Sequence, residues 1–161
     1  MIDSELPPAS RRVYAVLQQH GIDAQVREFP QGTRTAQDAA NAVGCEVAQI
    51  VKSIIFRAHD GRGVLVLTSG ANRVDEAKLV ALLGQPAGKA DADFVRDVTG
   101  FAIGGVPPLA HAQPLLTLID EDLLSYEFLW AAAGTPSTVF RLSPQDLLRL
   151  APQGRVGAVK K

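Results

Sequence analysis

The sequence predicts a mixed α/β fold, and three observations carry it. Segments with helical spacing are interleaved with short apolar runs that read as strands. The interleaving is irregular and some runs are joined by hairpin turns, which fits a mixed sheet better than a regular parallel one. Hydrophobic residues make up 47% of 161 residues, enough to bury one substantial core.

Residues 1–8 read as a poorly ordered lead-in. Ser10 is placed to cap a helix running to about His20, with Val13, Val16 and Leu17 on one face, and Gly21 ends it. Asp23 to Phe29 alternates as a strand. Thr33-Arg-Thr-Ala-Gln-Asp opens a second helix through Val43, which Gly44 stops. From Ile50, IVKSIIFRA reads as a buried strand. His59-Asp-Gly-Arg-Gly is a hairpin turn, and VLVLTSG is the returning strand. Residues 74–83 and 90–98 have helical spacing. LLTLID, YEFLWAAAG and STVFRL read as further strands. Ser143-Pro-Gln-Asp is a helix start, with a cap residue, proline at the first helical position and an acid in the first turn. That helix ends near Leu150, and RVGAV is a last short strand. A single domain over residues 1–161 is expected, without a linker or repeat.

Composition excludes several classes. The charged fraction is 20% and the net charge −1, so extensive wrapping by nucleic acid is not expected, although a small local contact is compatible. Cys45 is the lone cysteine, which rules out an internal disulfide and a cysteine metal cluster. No apolar run reaches the length of a membrane span, and the start MIDSELPPASRR has no signal-peptide h-region. A soluble cytoplasmic protein is expected.

The usual carriers of chemistry are missing. His20, His59 and His111 lie in separate contexts with no second ligand at metal-binding spacing, so no metal is expected. His20 sits at a helix end and His59 in a turn, where structural or solvated roles are the rule. His111 comes after a glycine- and proline-rich loop and could approach a site, with the structural role leading. There is no nucleophile elbow, P-loop or dinucleotide fingerprint, and TSGANR at 68–73 has too little glycine for a phosphate cradle. Cys45 reads as a small packed residue.

Two features stand out. Lys52 lies between Ile50, Val51, Ile54 and Ile55. A lysine among such residues either points to solvent from an edge strand or reaches a site, where it could clamp a phosphate or carboxylate. The second is the loop TGFAIGGVPPLAH. It places three glycines and two prolines between Gly100 and Pro108, a mixture no core strand or helix tolerates. Gly104 and Gly105 would let the backbone approach a ligand, and Pro107 and Pro108 stiffen the far side of the loop. Rigid backbone donors can stabilise an oxyanion, while an ordinary surface connection would use the same residue types.

These residues resemble the YbaK/prolyl-tRNA-synthetase-associated editing domains, which are aminoacyl-tRNA deacylases. The matching pieces are IVKSIIF, VLVLTSG…VD…KL from 64 to 79, TGFAIGGVPPLAH, LIDEDLL at 118–124, AAAG at 131–134 and SPQDLLRL at 143–150. They stand in the family's order and cover roughly residues 28–152. The resemblance implies a curved mixed sheet surrounded by helices. It implies a free-standing trans-editing enzyme that hydrolyses the ester between a wrong amino acid (alanine, cysteine, serine or threonine) and the 3′-terminal adenosine of tRNA-Pro. The partner implied is the CCA end of an aminoacyl-tRNA, with prolyl-tRNA synthetase as a further docking partner, and no cofactor or membrane. Lys52 matches the family's essential lysine, and Gly104, Gly105 and Pro108 its catalytic GxxxP loop. Gly134 matches a glycine at the pocket rim.

Some relatives carry a histidine near Ser137, whereas this chain reads TPSTVF, so the resemblance leaves the amino acid open. Thr35, Thr68, Ser69, Phe101, Ile103, Val106 and Ser137 are the proposed substrate-binding walls. The hydroxyls of Thr68, Ser69 and Ser137 would suit a hydroxylated side chain. An activated ester needs no strong protein nucleophile, so a site without triad or metal fits the chemistry. Two other readings stand beside it: a non-catalytic module binding a tRNA end or a synthetase, and a small-molecule-binding α/β protein.

Overall fold

The computed structural model describes residues 6–29 and 35–161. Helix α1 (Pro8–Gln19) and strand β1 (Val26–Glu28) come first, then α2 (Ala36–Val43). The hairpin of β2 (Ile50–Ala58) and β3 (Gly63–Ser69) is next, then α3 (Glu76–Leu83), β4 (Ala87–Lys89) and α4 (Ala92–Thr99). The chain ends with β5 (Leu116–Asp120), β6 (Leu129–Ala132), β7 (Thr138–Leu142), α5 (Pro144–Leu150) and β8 (Arg155–Gly157).

The strands form one sheet in the order β1-β7-β6-β2-β3-β5-β8, with β4 also paired to β2. The pairs β2/β6, β3/β5 and β5/β8 are parallel, and the remaining pairs antiparallel. The sheet is therefore mixed, as the irregular interleaving predicts. The hairpin pairs Val51 with Ser69 through Arg57 with Gly63 across the HDGRG turn.

Alternation on the strands divides the core in two. Val51, Ile55, Leu65, Leu67, Ile119 and Phe140 face one side and meet α1, α4 and α5 through Val13, Leu17, Val95, Val98, Leu147 and Leu150. On the other side, Phe56, Val64, Val66 and Leu118 lie under Leu79 of α3. Ile50, Trp130 and Val139 lie under Ala39 and Ala40 of α2.

Several expectations shift in position. Helix α1 begins at Pro8, two residues before Ser10, because proline presets the dihedral of a first turn and lacks an N–H that would go unsatisfied there. Ser10 is then an interior residue, and its buried hydroxyl donates to Thr138 Oγ1 at 2.9 Å instead of capping. The ordered chain also starts earlier than the expected lead-in, since Leu6 is buried in the main core; residues 1–5 lie outside the described residues. In α2 the cap is Thr35, which accepts from Asp38 N, while Thr33 and Arg34 lie outside the described residues. Gly44 closes α2 in the left-handed region, and Ser143 caps α5 in a capping box with Asp146. Strand β4 and the 3-10 turns Val47–Gln49 and Glu121–Ser125 carry too few residues for a periodic signal.

Candidate active site at the split edge of strand β2

Strand β2 has two different neighbours along one edge. β6 pairs with Ile50 and Val51, and β4 pairs with Phe56, Arg57 and Ala58. Between them, residues 52–55 have no partner strand on that side. On the sheet face, Ile50 belongs to the apolar patch under α2, and Ile54 and Phe56 to the patch under α3. Lys52 stands between the two patches, where no helix covers the sheet. The choice between edge-strand exposure and a site is thereby settled in geometry: β2 is an interior strand, and Lys52 opens on a cavity.

That cavity has a volume of about 640 Å³. Its walls include Lys52, Ser53, Thr35 and Gln37 of the α2 start, Gly70 to Arg73 after β3, Trp130 to Ala132 of β6, and Gly104 and Val106 of the loop. A second lobe of about 450 Å³ shares Lys52, Ser53, Ile54, Arg73, Gly104 and Val106, and is otherwise mostly apolar, with Ile103 on its rim.

Lys52 is half-buried, and its Nζ donates to the backbone oxygen of Asn72 at 2.8 Å. One of its three N–H donors is thus spent on the protein. Burial pushes its pKa below the ordinary lysine value and the neighbouring Arg73 cation pushes the same way, against the pull of Asp120. Asn72 is itself fixed. Its side chain donates to Asp120 Oδ2 at 2.8 Å and to Asp122 Oδ2 at 2.9 Å. The buried Asp120 carboxylate also accepts from Thr68 Oγ1 and Ser69 N, each at 3.0 Å.

Ser53 is the neighbour of Lys52. Its Oγ is the one buried side-chain polar atom among the described residues without a hydrogen-bond partner, and Ser53 lines both lobes. A buried hydroxyl left unpaired costs about 1–3 kcal/mol, so its persistence beside a cavity is informative.

The loop comes close to the strand β6–β7 turn for a steric reason. A Cβ at Gly105 would lie 2.7 Å from Thr135 Cα, and Gly104 has φ +90°. The Gly105 N–H donates to Ala102 O, while the N–H groups of Gly104 and Val106 donate to no acceptor among the described residues. His111 holds the loop's far end: Nε2 lies 2.7 Å from Pro107 O and, since a carbonyl only accepts, carries the proton. Burial lowers the His111 pKa, partly countered by that hydrogen bond.

The structure brings together Lys52, Thr35, Gly104, Val106 and Ile103 on the cavity walls. It places other expected site residues behind them. The hydroxyl of Thr68 is spent on Asp120, and that of Ser69 donates to Ala48 O at 2.7 Å, so both support the Asn72 network and line neither lobe. Phe101 is buried under the Arg12 guanidinium, 4.5 Å from its ring centre, and packs against Gly134, whose φ is +101°. Gly105 and Pro108 are buried supports of the loop. Ser137 lies in the β6–β7 turn, where its N–H donates to Thr135 Oγ1 and its carbonyl accepts from Phe29 N. Reading TSGANR for glycine content missed Asn72 and Arg73. Their signal was a polar pair directly after an apolar strand and turn glycine. Trp130, read only as a strand residue, is a cavity wall. Cys45 donates weakly to Glu46 O, and burial and the Glu46 charge raise its pKa, which argues against a nucleophile. No group of three potential metal ligands occurs among the described residues, and none of the described helices is long and apolar enough to cross a membrane.

Comparison with known proteins gives a consistent picture. Residues 30–150 match the profile of the aminoacyl-tRNA editing domain. A solved structure of a candidate trans-editing enzyme for prolyl-tRNA synthetase is 47% identical, with a TM-score of 0.92 over 98% of this chain and 99% of that one. YwhH of Bacillus subtilis (strain 168), an uncharacterised protein, is 28% identical over 122 residues, which is 76% of this chain and 78% of YwhH. The proline–tRNA ligase of Thermoanaerobacter sp. (strain X514) is 28% identical over 98 residues, covering 59% of this chain but 17% of the ligase.

Proposed function

Because the chain belongs to the aminoacyl-tRNA editing domain family, we propose that it acts in trans as a deacylase of mischarged tRNA. The expected substrate is tRNA-Pro carrying alanine, cysteine, serine or threonine. The observation that carries this reading is the convergence of Lys52, Ser53 and Gly104 on one cavity at the unpaired stretch of β2.

In the reaction, the oxygen of a water molecule adds to the ester carbonyl. The bond from that carbon to the ribose oxygen breaks, and the proton passes to that oxygen, releasing free amino acid and intact tRNA. The aminoacyl ester is already reactive, so positioning and oxyanion stabilisation can supply the rate. Gly104 N–H and Val106 N–H are the proposed donors to the developing oxyanion. Lys52 is the proposed cation for the terminal phosphate or ribose, steered by Asn72. Thr35 and Ile103 are proposed wall residues, and Gly105, Pro108, Phe101 and Gly134 proposed supports of the loop. With the hydroxyls of Thr68 and Ser69 committed to internal bonds, they offer no argument for a hydroxylated amino acid.

The test is release of amino acid from tRNA-Pro charged separately with alanine, cysteine, serine, threonine and proline, with wild type and Lys52→Ala. Hydrolysis of a wrong ester, with proline spared and the variant inactive but folded, is the expected result. Survival of every ester in the presence of wild type overturns the deacylase reading and leaves a binding module of the same fold.

A further inference from the structure

Trp130 is a wall of two cavities, and the reading above uses only one. On its other side lies a groove of about 520 Å³ between the sheet and the segment from Gly21 to Gln25. We propose that this groove grips the single-stranded RNA leading to the reacting end, across Arg27 and Arg141. The inference rests on the deacylase reading for the identity of the RNA and adds the place where it is held.

The strand register builds the surface. Arg141 is opposite Trp130, while Val139 is opposite both Ala132 and Arg27. Residues opposed in antiparallel pairs share a sheet face, so Arg27, Trp130 and Arg141 stand on the same side. The Arg27 guanidinium lies over the Trp130 ring at 5.1 Å, and that of Arg141 over the Phe128 ring at 4.3 Å. Phe128 is 39% exposed, an uncommon degree for a large apolar residue in this chain, and Gln49 Nε2 fixes its backbone oxygen.

Charge at the groove favours a polyanion. Neither guanidinium has an ion pair among the described residues. The carboxylates lining the groove are Asp23 and Asp146. Asp146 pairs with Arg149 and accepts from Ser143 N, which leaves Asp23 against two arginines. A guanidinium flattened on an aromatic ring keeps its second face for a base and its edge for a phosphate. Since the chain carries a net charge of −1, attraction for RNA has to be local, and this is where stacked cations border the proposed site.

The experiment measures binding of an uncharged, CCA-ended acceptor-stem RNA across a salt series. It compares wild type, Arg27→Ala/Arg141→Ala and Arg141→Lys, each checked for folding by circular dichroism. The double variant is expected to bind about tenfold or more weakly. Its slope of log affinity against log salt should be shallower by about two units. Arg141→Lys, which keeps the charge and loses the flat stack, should weaken binding and keep the slope. In deacylation, KM for aminoacyl-tRNA should rise in the double variant relative to KM for aminoacyl-adenosine, which is too short to span both cavities. Unchanged affinity and slope in a folded double variant overturn the proposal, as does absence of RNA binding by wild type. Failure of the deacylase reading registers separately, as no release from any ester by wild type while the binding series is still read.

Discussion

Lys52 Nζ is held by the backbone carbonyl of Asn72 at 2.8 Å, and Asn72 in turn is anchored through its side chain to the buried Asp120. The ammonium is thereby steered by a turn of backbone rather than neutralised by a carboxylate. It keeps its charge and two donors for a ligand.

This arrangement makes a pH dependence. The folded Lys52 pKa lies below the ordinary lysine value, mainly through burial. The charged form exists below that pKa, so activity that depends on the cation is present at lower pH and lost as pH rises through it. The deacylation rate, corrected for spontaneous ester hydrolysis, should show this alkaline limb. Lys52→Arg, whose guanidinium stays charged, should lose the limb from whatever activity it retains. An identical limb in both proteins would reject the assignment.

Ser53→Ala separates function from folding. Its Oγ has no partner among the described residues, so the substitution removes no bond and should leave stability unchanged or raised by about 1 kcal/mol in a urea titration. Deacylation should nonetheless slow by about tenfold, the loss of one ligand hydrogen bond. A slow and equally destabilised variant would mean that the hydroxyl serves the fold.

The two loop glycines should respond differently. Gly105→Ala puts a Cβ 2.7 Å from Thr135 Cα, which cannot move as a flexible side chain would. It should cost about 2–3 kcal/mol and most of the activity. Gly104→Ala has nothing nearer than 3.8 Å but keeps φ +90°, so it should cost only about 1 kcal/mol. Thermal melts rank the pair, and equal costs would contradict the close approach to Thr135.

His111 gives the fold an acid-sensitive point. Its folded pKa is lowered, chiefly by burial, so the unfolded state binds the proton more readily. Its contribution is therefore full above the ordinary histidine value of about 6.5 and is lost as pH falls through that value toward the folded pKa. His111→Gln should flatten the stability curve between about pH 5 and 7. A curve of unchanged slope would place the acid sensitivity elsewhere.

How much of this was legible in the chain depends on the range of each interaction. Local rules found the β2–β3 hairpin, the Gly44 stop and the Ser143 cap, because turns and caps are settled within a few residues. They found Lys52 and the glycine–proline loop as anomalies, since a lysine among isoleucines and a run without side chains break local expectation. They misplaced Ser10, whose partner Thr138 is 128 residues away. They also read Thr68 and Ser69 as walls, because nothing local reveals that Asp120 and Ala48 claim their hydroxyls.

The sequence by itself determined a mixed α/β fold, the apolar strands that build it and the two anomalies that mark a site. Tertiary structure alone decided that Lys52 faces a cavity. That outcome depends on β6 and β4 pairing with opposite ends of β2 and on α2 and α3 covering the sheet on either side of the lysine. Pairing between segments far apart in the chain is set by packing across the whole core, and no stretch of residues encodes such a gap on its own.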